Sequence, residues 1–220
     1  MRVGLLHTVP ALAPLFHDLL RARRGDLDIV HVVDPALLAD TIAAGGVTDE
    51  VAARVRGHVE SLARAGASKV LVTCSSIGEA AERASADTGV SVVRVDAAMA
   101  GTAVDRASSA GAETGRVGTI AVLATLEATL GPTVRLVERA LTSADVRVTA
   151  TLVPQAAEAR ADGDGATHDR LIAAAVGATD ADVVVLAQAS MAAAAGGDTR
   201  VLTSPESGAT AFVDELGAVV

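Results

Sequence analysis

The 220-residue chain is half apolar, has neither Trp nor Tyr, carries two Phe and a single Cys, and has a net charge of −9. That acidity, without a basic patch or aromatic platform, argues against a nucleic-acid partner, and no apolar run approaches the ~20 residues needed to span a bilayer. One Cys rules out an internal disulfide framework and suits a reducing, cytoplasmic compartment.

In chain order, the opening Met1-Arg-Val-Gly-Leu-Leu-His-Thr8 lacks a basic region and a cleavage pattern, and it reads as a first strand rather than a leader. Runs rich in Val, Leu and Ile predict strands at Arg2–Thr8, Asp28–Asp34, Lys69–Thr73 and Val90–Asp96, and again at Arg116–Ala124, Val146–Val153, Asp182–Ala187 and Arg200–Thr203. They show no polar alternation, as expected of strands buried on both faces of a parallel sheet. Helices are expected between them at Pro10–Arg23, Thr48–Ala65, Ile77–Ala86, Leu126–Ala140, Thr167–Val176 and Pro205–Leu216. In the second of these, Val51 and Val55 share a face while Glu50, Arg54 and Arg56 lie elsewhere, an amphipathic layout. Alternation of this kind implies right-handed crossovers and an α/β fold. Gln155–Gly165, with Ala-Asp-Gly-Asp-Gly at its end, reads as a surface loop or a lid.

The chain looks internally duplicated. Arg2-Val-Gly-Leu-Leu6 returns as Arg116-Val-Gly-Thr-Ile120, and the same offset of 114 places Val70-Leu-Val-Thr-Cys-Ser-Ser-Ile77 on Val184-Val-Leu-Ala-Gln-Ala-Ser-Met191. Two similar parallel-sheet (Rossmann-like) halves related by a pseudo-twofold axis are expected, residues 1–97 with 205–220 and residues 98–204. The boundary falls near Ala97–Gly115. Such an axis would bring the Cys74 end of one half to the Gln188 end of the other across a cleft. One half thus has a thiol where the other has an amide.

The segments Val3-Gly-Leu-Leu-His-Thr-Val-Pro10, Thr73-Cys-Ser-Ser76, Gly118-Thr-Ile-Ala-Val-Leu-Ala-Thr125 and Leu186-Ala-Gln-Ala-Ser190 together resemble the aspartate/glutamate/hydantoin racemase superfamily. That group includes amino-acid racemases, maleate isomerase and arylmalonate decarboxylase. The resemblance covers essentially the whole chain in order and spacing. It implies two α/β domains with a catalytic position at a strand end in each, a small carboxylate-bearing substrate held between them, and chemistry that needs no metal or coenzyme. In the racemases two thiols face opposite sides of the substrate's α-carbon. Cys74 matches the first position, but Gln188 occupies the second, and its amide cannot exchange a proton near neutral pH. Two-thiol racemisation is therefore disfavoured, and a one-thiol isomerisation or decarboxylation remains.

Cys74, at a strand-to-helix junction among Thr73, Ser75 and Ser76, is the candidate acid/base or nucleophile, although a free Cys is also commonly a small buried hydrophobe. Ser75 and Ser76 suit a carboxylate or developing enolate oxygen, or else an N-cap of the following helix. Thr8 ends the first strand and is a candidate ligand for carboxylate oxygens. Thr125 follows the matching strand, but the 114 offset pairs Thr8 with Val122, so this match requires extra residues; Thr125 also suits a helix cap. Gln188 and Ser190 form the second corner, with Gln188 as an orienting hydrogen-bonder or as a remnant of lost function. His7, His17, His31, His58 and His168 have no metal-ligand spacing. His7 and His31 lie near strand ends, where a core or rim position is the ordinary outcome. Asp34 and Asp96 end strands and suit substrate binding, a turn or a cap. No dinucleotide or phosphate-loop pattern occurs, so no cofactor is implied.

The leading expectation is a cofactor-independent isomerase or decarboxylase-type lyase acting at the carbon alpha to a carboxylate, with Cys74 as single acid/base. A non-catalytic small-carboxylate-binding protein on the same fold is the alternative. A Cys74 hydrolase ranks last, because no base and orienting acid accompany it. Relatives often pair, and a homo-oligomer is expected.

Overall fold

Arg2–His7 forms strand β1, buried at every position after Arg2 because Val3 and Leu5 face one side of the sheet and Leu6 the other. It lies centrally between β2 (Asp28–Val33) and β3 (Lys69–Val72), and β4 (Ser91–Arg94) completes a parallel sheet of order β2-β1-β3-β4. The computed structural model describes residues 1–217, which divide into two compact units: Met1–Asp96 joined by the segment from Pro205, and Ala97–Ser204.

In the first unit the crossovers are helical: α1 (Leu12–Arg23), α2 (Pro35–Ala43), α3 (Asp49–Arg64) and α4 (Gly78–Thr88). Asp34 and Thr48 cap α2 and α3 by accepting from Ala36 N–H and Val51 N–H, and Pro35 fits the first turn of α2, where its missing N–H has no cost. Val51, Val55, Val59 and Leu62 are buried at helical spacing, and Val51, Val55 and Leu62 pack with Leu6, Leu37, Val70, Val72 and Ile77 on one face of the sheet. The last described helix of the chain returns to this unit. Phe212 is fully buried, and a Cβ on Gly208 would stand 2.2 Å from the Val95 carbonyl oxygen, so only glycine allows that approach. Arg23 with Glu206, and Lys69 Nζ with Glu215 at 2.7 Å, tie the same segment down.

The second unit repeats the plan. Helix α5 (Ala97–Thr114) leads into β5 (Gly118–Ala124), α6 (Glu127–Ala140), β6 (Val146–Leu152), α7 (Pro154–Ala161), α8 (Gly165–Gly177), β7 (Val183–Leu186) and β8 (Val201–Leu202), with sheet order β6-β5-β7-β8. Successive residues of β7 serve opposite faces. Val183 and Val185 join one cluster with Ile120 and Val122, and Val184 and Leu186 join another with Ile172 and Met191. Helix α9 (Ser204–Asp214) then begins the return to the first unit.

Each of the eight expected strands is present, trimmed by one or two residues at its ends. The first unit ends at Asp96 and the second begins at Ala97, at the edge of the segment near which the boundary is expected; Ala97–Gly115 is itself mostly helix, with Met99, Ala103, Val104, Ala107 and Gly111 buried at helical spacing. One expectation requires correction. Gln155–Gly165 is not a loop: Pro154 starts α7 at its preferred position, and Asp164 caps α8 by accepting from Thr167 N–H. Only a short turn around Gly163 (φ +80°) separates the two helices.

The two units share one sheet order, but the register that relates them is not uniform. Thr73 N–H donates to the Leu6 carbonyl in the first unit, and Ala187 N–H to that of Leu123 in the second. The third strands therefore correspond at 114 positions (73 to 187), the first strands at 117 (6 to 123). The match of Arg2-Val-Gly to Arg116-Val-Gly is not the structural one, since Gly4 pairs with Val70 whereas Ala121 pairs with Val184.

Candidate active site

The two offsets put Thr125 at the structural counterpart of Thr8, and Gln188 at that of Cys74. In the first unit the last β1–β3 pair is Leu6 with Val72; two residues further along are Thr8 and Cys74. In the second, the last β5–β7 pair is Leu123 with Leu186, and two residues further are Thr125 and Gln188. Cys74 (φ −123°, ψ 116°) and Gln188 (φ −115°, ψ 134°) share an extended backbone, and each precedes a 3-10 turn, Ser75–Ile77 and Ala189–Ala195.

At the second corner both donors of Thr125 serve one atom: its N–H and its hydroxyl donate to Gln188 Oε1 at 2.7 and 3.1 Å. A backbone N–H can only donate, so this contact fixes which end of the amide is oxygen. The NH2 group is then the end available to a ligand, and it offers two donors. Thr125 is 4 % exposed and caps nothing, since the N-cap of α6 is Leu126 without a side-chain bond. It positions Gln188. Ser190 sits in the adjoining 3-10 turn, partly exposed.

At the first corner the acceptor is missing, because Cys74 carries sulfur where Gln188 carries an amide oxygen. The Thr8 hydroxyl is correspondingly without a hydrogen-bond partner, although the residue is only 2 % exposed. An unmet buried hydroxyl costs about 1–3 kcal/mol. Cys74 is a free thiol, partly exposed, with its stem against the cluster formed by Leu6, Val72 and Ile77. Ser75 and Ser76 are buried in the 3-10 turn. The N-cap of α4 is Ile77, and the turn separates the thiol from that helix by three residues.

Behind this turn lies an ion pair. Arg94 Nε and Nη2 donate to the two carboxylate oxygens of Asp96 at 2.9 and 2.8 Å, with the residues 3 % and 0 % exposed. A Cβ at Gly78 would lie 2.5 Å from the guanidinium, so the start of α4 rests directly on it. Asp96 is thereby committed to structure. Asp34 is too: burial pushes its carboxyl up, but hydrogen bonds from Arg54 and His58 outweigh this and hold it down at about 2.

The histidines are the feature that sequence spacing did not find. His7 Nδ1 lies 2.9 Å from Thr73 Oγ1, His7 Nε2 lies 2.9 Å from His31 Nδ1, and His31 Nε2 lies 3.1 Å from His17 Nδ1. His7 and His31 occupy adjacent strands and the same sheet face; register pairs His7 with Val33, two residues from His31. Burial first, and His31 second, push His7 down to about 4, and burial followed by His17 lowers His31. The three imidazoles run in line rather than converging, and among the described residues no group of three or more His, Cys, Asp or Glu is placed to hold a metal ion.

The family model described as Asp/Glu/Hydantoin racemase matches residues 2–214. Among solved structures, the chain is similar to an aspartate racemase from Picrophilus torridus (12 % identity, TM-score 0.68, covering 100 % of this chain and 95 % of that one). It is also similar to the glutamate racemase from Aquifex pyrophilus (18 %, 0.61, 98 % and 84 %) and to an allantoin racemase from Klebsiella pneumoniae (15 %, 0.60, 98 % and 87 %). No curated protein matches the chain. Among the described residues no helix is long and apolar enough to cross a membrane.

Proposed function

Because the chain belongs to the Asp/Glu/Hydantoin racemase family, we propose that it is a cofactor-independent isomerase of small carboxylic acids that uses Cys74 as its single acid/base. The observation that carries this is the contrast between the two strand-end corners. In one, a threonine hydroxyl is satisfied by an amide that cannot trade protons; in the other, an equivalent hydroxyl stands unpaired beside a thiol. A donor aimed at charge that develops only during reaction contributes about 3 kcal/mol to transition-state stabilisation. Thr8 is assigned that role toward an enolate oxygen or the thiolate. Ser75 and Ser76 are assigned carboxylate binding, Gln188 donates through its NH2 to a carboxylate oxygen, with Thr125 holding it, and Ser190 adds a hydroxyl beside it.

With one thiol, the reaction removes a proton from the α-carbon and returns it, or protonates the carbanion left when CO2 departs. Either suits isomerisation, one-base epimerisation or decarboxylation. Incubating a panel of small carboxylic acids in deuterated water tests this. Deuterium should enter the α-carbon, and Cys74→Ser should slow the reaction by about 100-fold or more. Undiminished exchange in Cys74→Ser, or none across the panel, refutes it.

Binding without chemistry is the second reading, favoured by Gln188 at the position where a second thiol would sit. It is distinguished by acids that bind in calorimetry yet never exchange, and by a Cys74 thiol that alkylates with the pH dependence of free cysteine.

A further inference from the structure

We propose that His17, His31 and His7 form a directional proton relay from solvent to the strand end that carries Cys74, with the Thr73 hydroxyl as its inner terminus. The proposal rests on the Cys74 reading for its purpose, but not for its existence.

Hydrogen-bond chemistry sets the direction. Thr73 Oγ1 donates to the Leu6 carbonyl at 3.3 Å, so it accepts from His7, whose proton is then on Nδ1. A neutral His7 must accept at Nε2, which places the proton of His31 on Nδ1. The same logic places that of His17 on Nδ1, facing His31 Nε2. One choice at Thr73 fixes all three tautomers in a single head-to-tail order. His7 is fully buried, whereas His31 and His17 are both partly exposed, so the inner end of the line is the buried one. The His7 and His31 rings are stacked with centroids 5.2 Å apart, and the His17 ring is tilted against His31 at 5.4 Å. The Phe16 ring borders His7 at 6.2 Å. Burial and His31 hold His7 below its ordinary value, and burial and His17 do the same for His31, so these two hydrogen-bonded imidazoles are neutral carriers rather than fixed imidazolium ions.

The transfers balance. A proton taken up at His17 Nε2 sends the Nδ1 proton of His17 to His31 Nε2. The Nδ1 proton of His31 passes to His7 Nε2, and that of His7 to Thr73 Oγ1. The proton that Thr73 gives up turns from the Leu6 carbonyl to a water at the strand end, which passes one of its own to the Cys74 thiolate on the other face of the strand. Every ring finishes neutral with its proton on Nε2, an arrangement suited only to the reverse passage. A proton later released at the strand end travels back to solvent and restores the first arrangement. A one-thiol isomerase that alternately takes and returns a proton would reset such a relay in each cycle.

Imidazole 15N resonances of the intact chain at neutral pH test the relay without any substrate. Protons on Nδ1 of all three rings are expected, and Thr73→Val, which removes the acceptor that orders them, should release the rings into a mixture of tautomers. Mixed tautomers in the unsubstituted protein, or rings indifferent to Thr73→Val, overturn the relay. Given a turned-over acid, His31→Gln should lower kcat by about tenfold or more with KM little changed. Free imidazole should partly restore His17→Ala. An unaltered kcat in His31→Gln overturns the catalytic purpose alone. Failure of Cys74→Ser to impair turnover would strike the thiol assignment and leave the tautomer result standing.

Discussion

Thr125 gives both its backbone N–H and its hydroxyl to a single oxygen of Gln188, whereas Thr8, its counterpart beside Cys74, has a buried hydroxyl with no partner. One substitution should therefore have opposite effects at the two sites. Thr125→Val removes a made bond and should cost about 1 kcal/mol, and Gln188→Leu, which strands both Thr125 donors, about 1–3 kcal/mol. Thr8→Val removes an unmet donor and should be neutral or stabilising by up to about 1 kcal/mol while lowering turnover. Urea midpoints measure all three. A Thr8→Val variant as destabilised as Thr125→Val would mean that the Thr8 hydroxyl is satisfied in solution.

The depressed His7 makes a specific pH signature. From its usual 6.5 the group falls to about 4 in the fold, so the unfolded chain takes up the proton first as the solution is acidified. Stability from this group is complete above pH 6.5 and declines as pH falls toward 4, by about 3 kcal/mol over that span. His31, lowered in the same direction, steepens the decline. Denaturant titrations across this range should show the slope in the native sequence and a flatter one in His7→Gln. The Asp34 contribution lies lower, lost only as pH falls below its usual 3.8 toward about 2.

Asp96→Asn should be among the most damaging single changes in the first unit. It removes the bidentate carboxylate from the Arg94 guanidinium, 3 % exposed, and leaves it the more distant Glu82 at 3.7 Å, a loss of about 3 kcal/mol. Since α4 begins against that guanidinium at Gly78, the Ser75–Ile77 turn should loosen with it. Faster alkylation of Cys74 under native conditions would report this, and an unchanged rate would separate the ion pair from the thiol corner.

Two glycines should respond oppositely to alanine. Gly208→Ala forces a Cβ to within 2.2 Å of a backbone oxygen and should destabilise by about 1–3 kcal/mol or more. Gly57, inside α3, has nothing within 4 Å of the added atom, so Gly57→Ala should stabilise by about 0.5–1 kcal/mol through helix propensity. Thermal melts of the two variants provide the comparison.

The strands were legible in the sequence because runs such as Val3–Leu6 and Val183–Leu186 are buried on both faces and so carry no polar interruption. Helices α2, α5 and α7 were not. In α5 and α7 the buried positions are mostly filled by Ala, which signals a face weakly, and the Asp-Gly-Asp-Gly after α7 drew attention to a turn only three residues long. The Cys74 and Gln188 correspondence could be found because 114 is the true offset for the third strands. The Thr8 and Thr125 correspondence needed three further residues, which only strand pairing reveals. Proximity of His17, His31 and His7 was hidden for a similar reason. Their separations of 14 and 24 positions match no helical or strand period, and they meet only because α1 and β2 are placed beside β1 by the crossover.

The return of the chain's last described helix to the first unit has a consequence for biosynthesis. Growing from the ribosome, the polypeptide completes all of Ala97–Ser204 before Gly208 and Phe212 emerge to close the core around β4. The amide-bearing half can mature as one uninterrupted stretch, while the thiol-bearing half waits for material made last. Nascent chains halted before residue 205 should therefore carry a finished second fold and an unfinished first, so that Cys74 is set in place only near the end of translation.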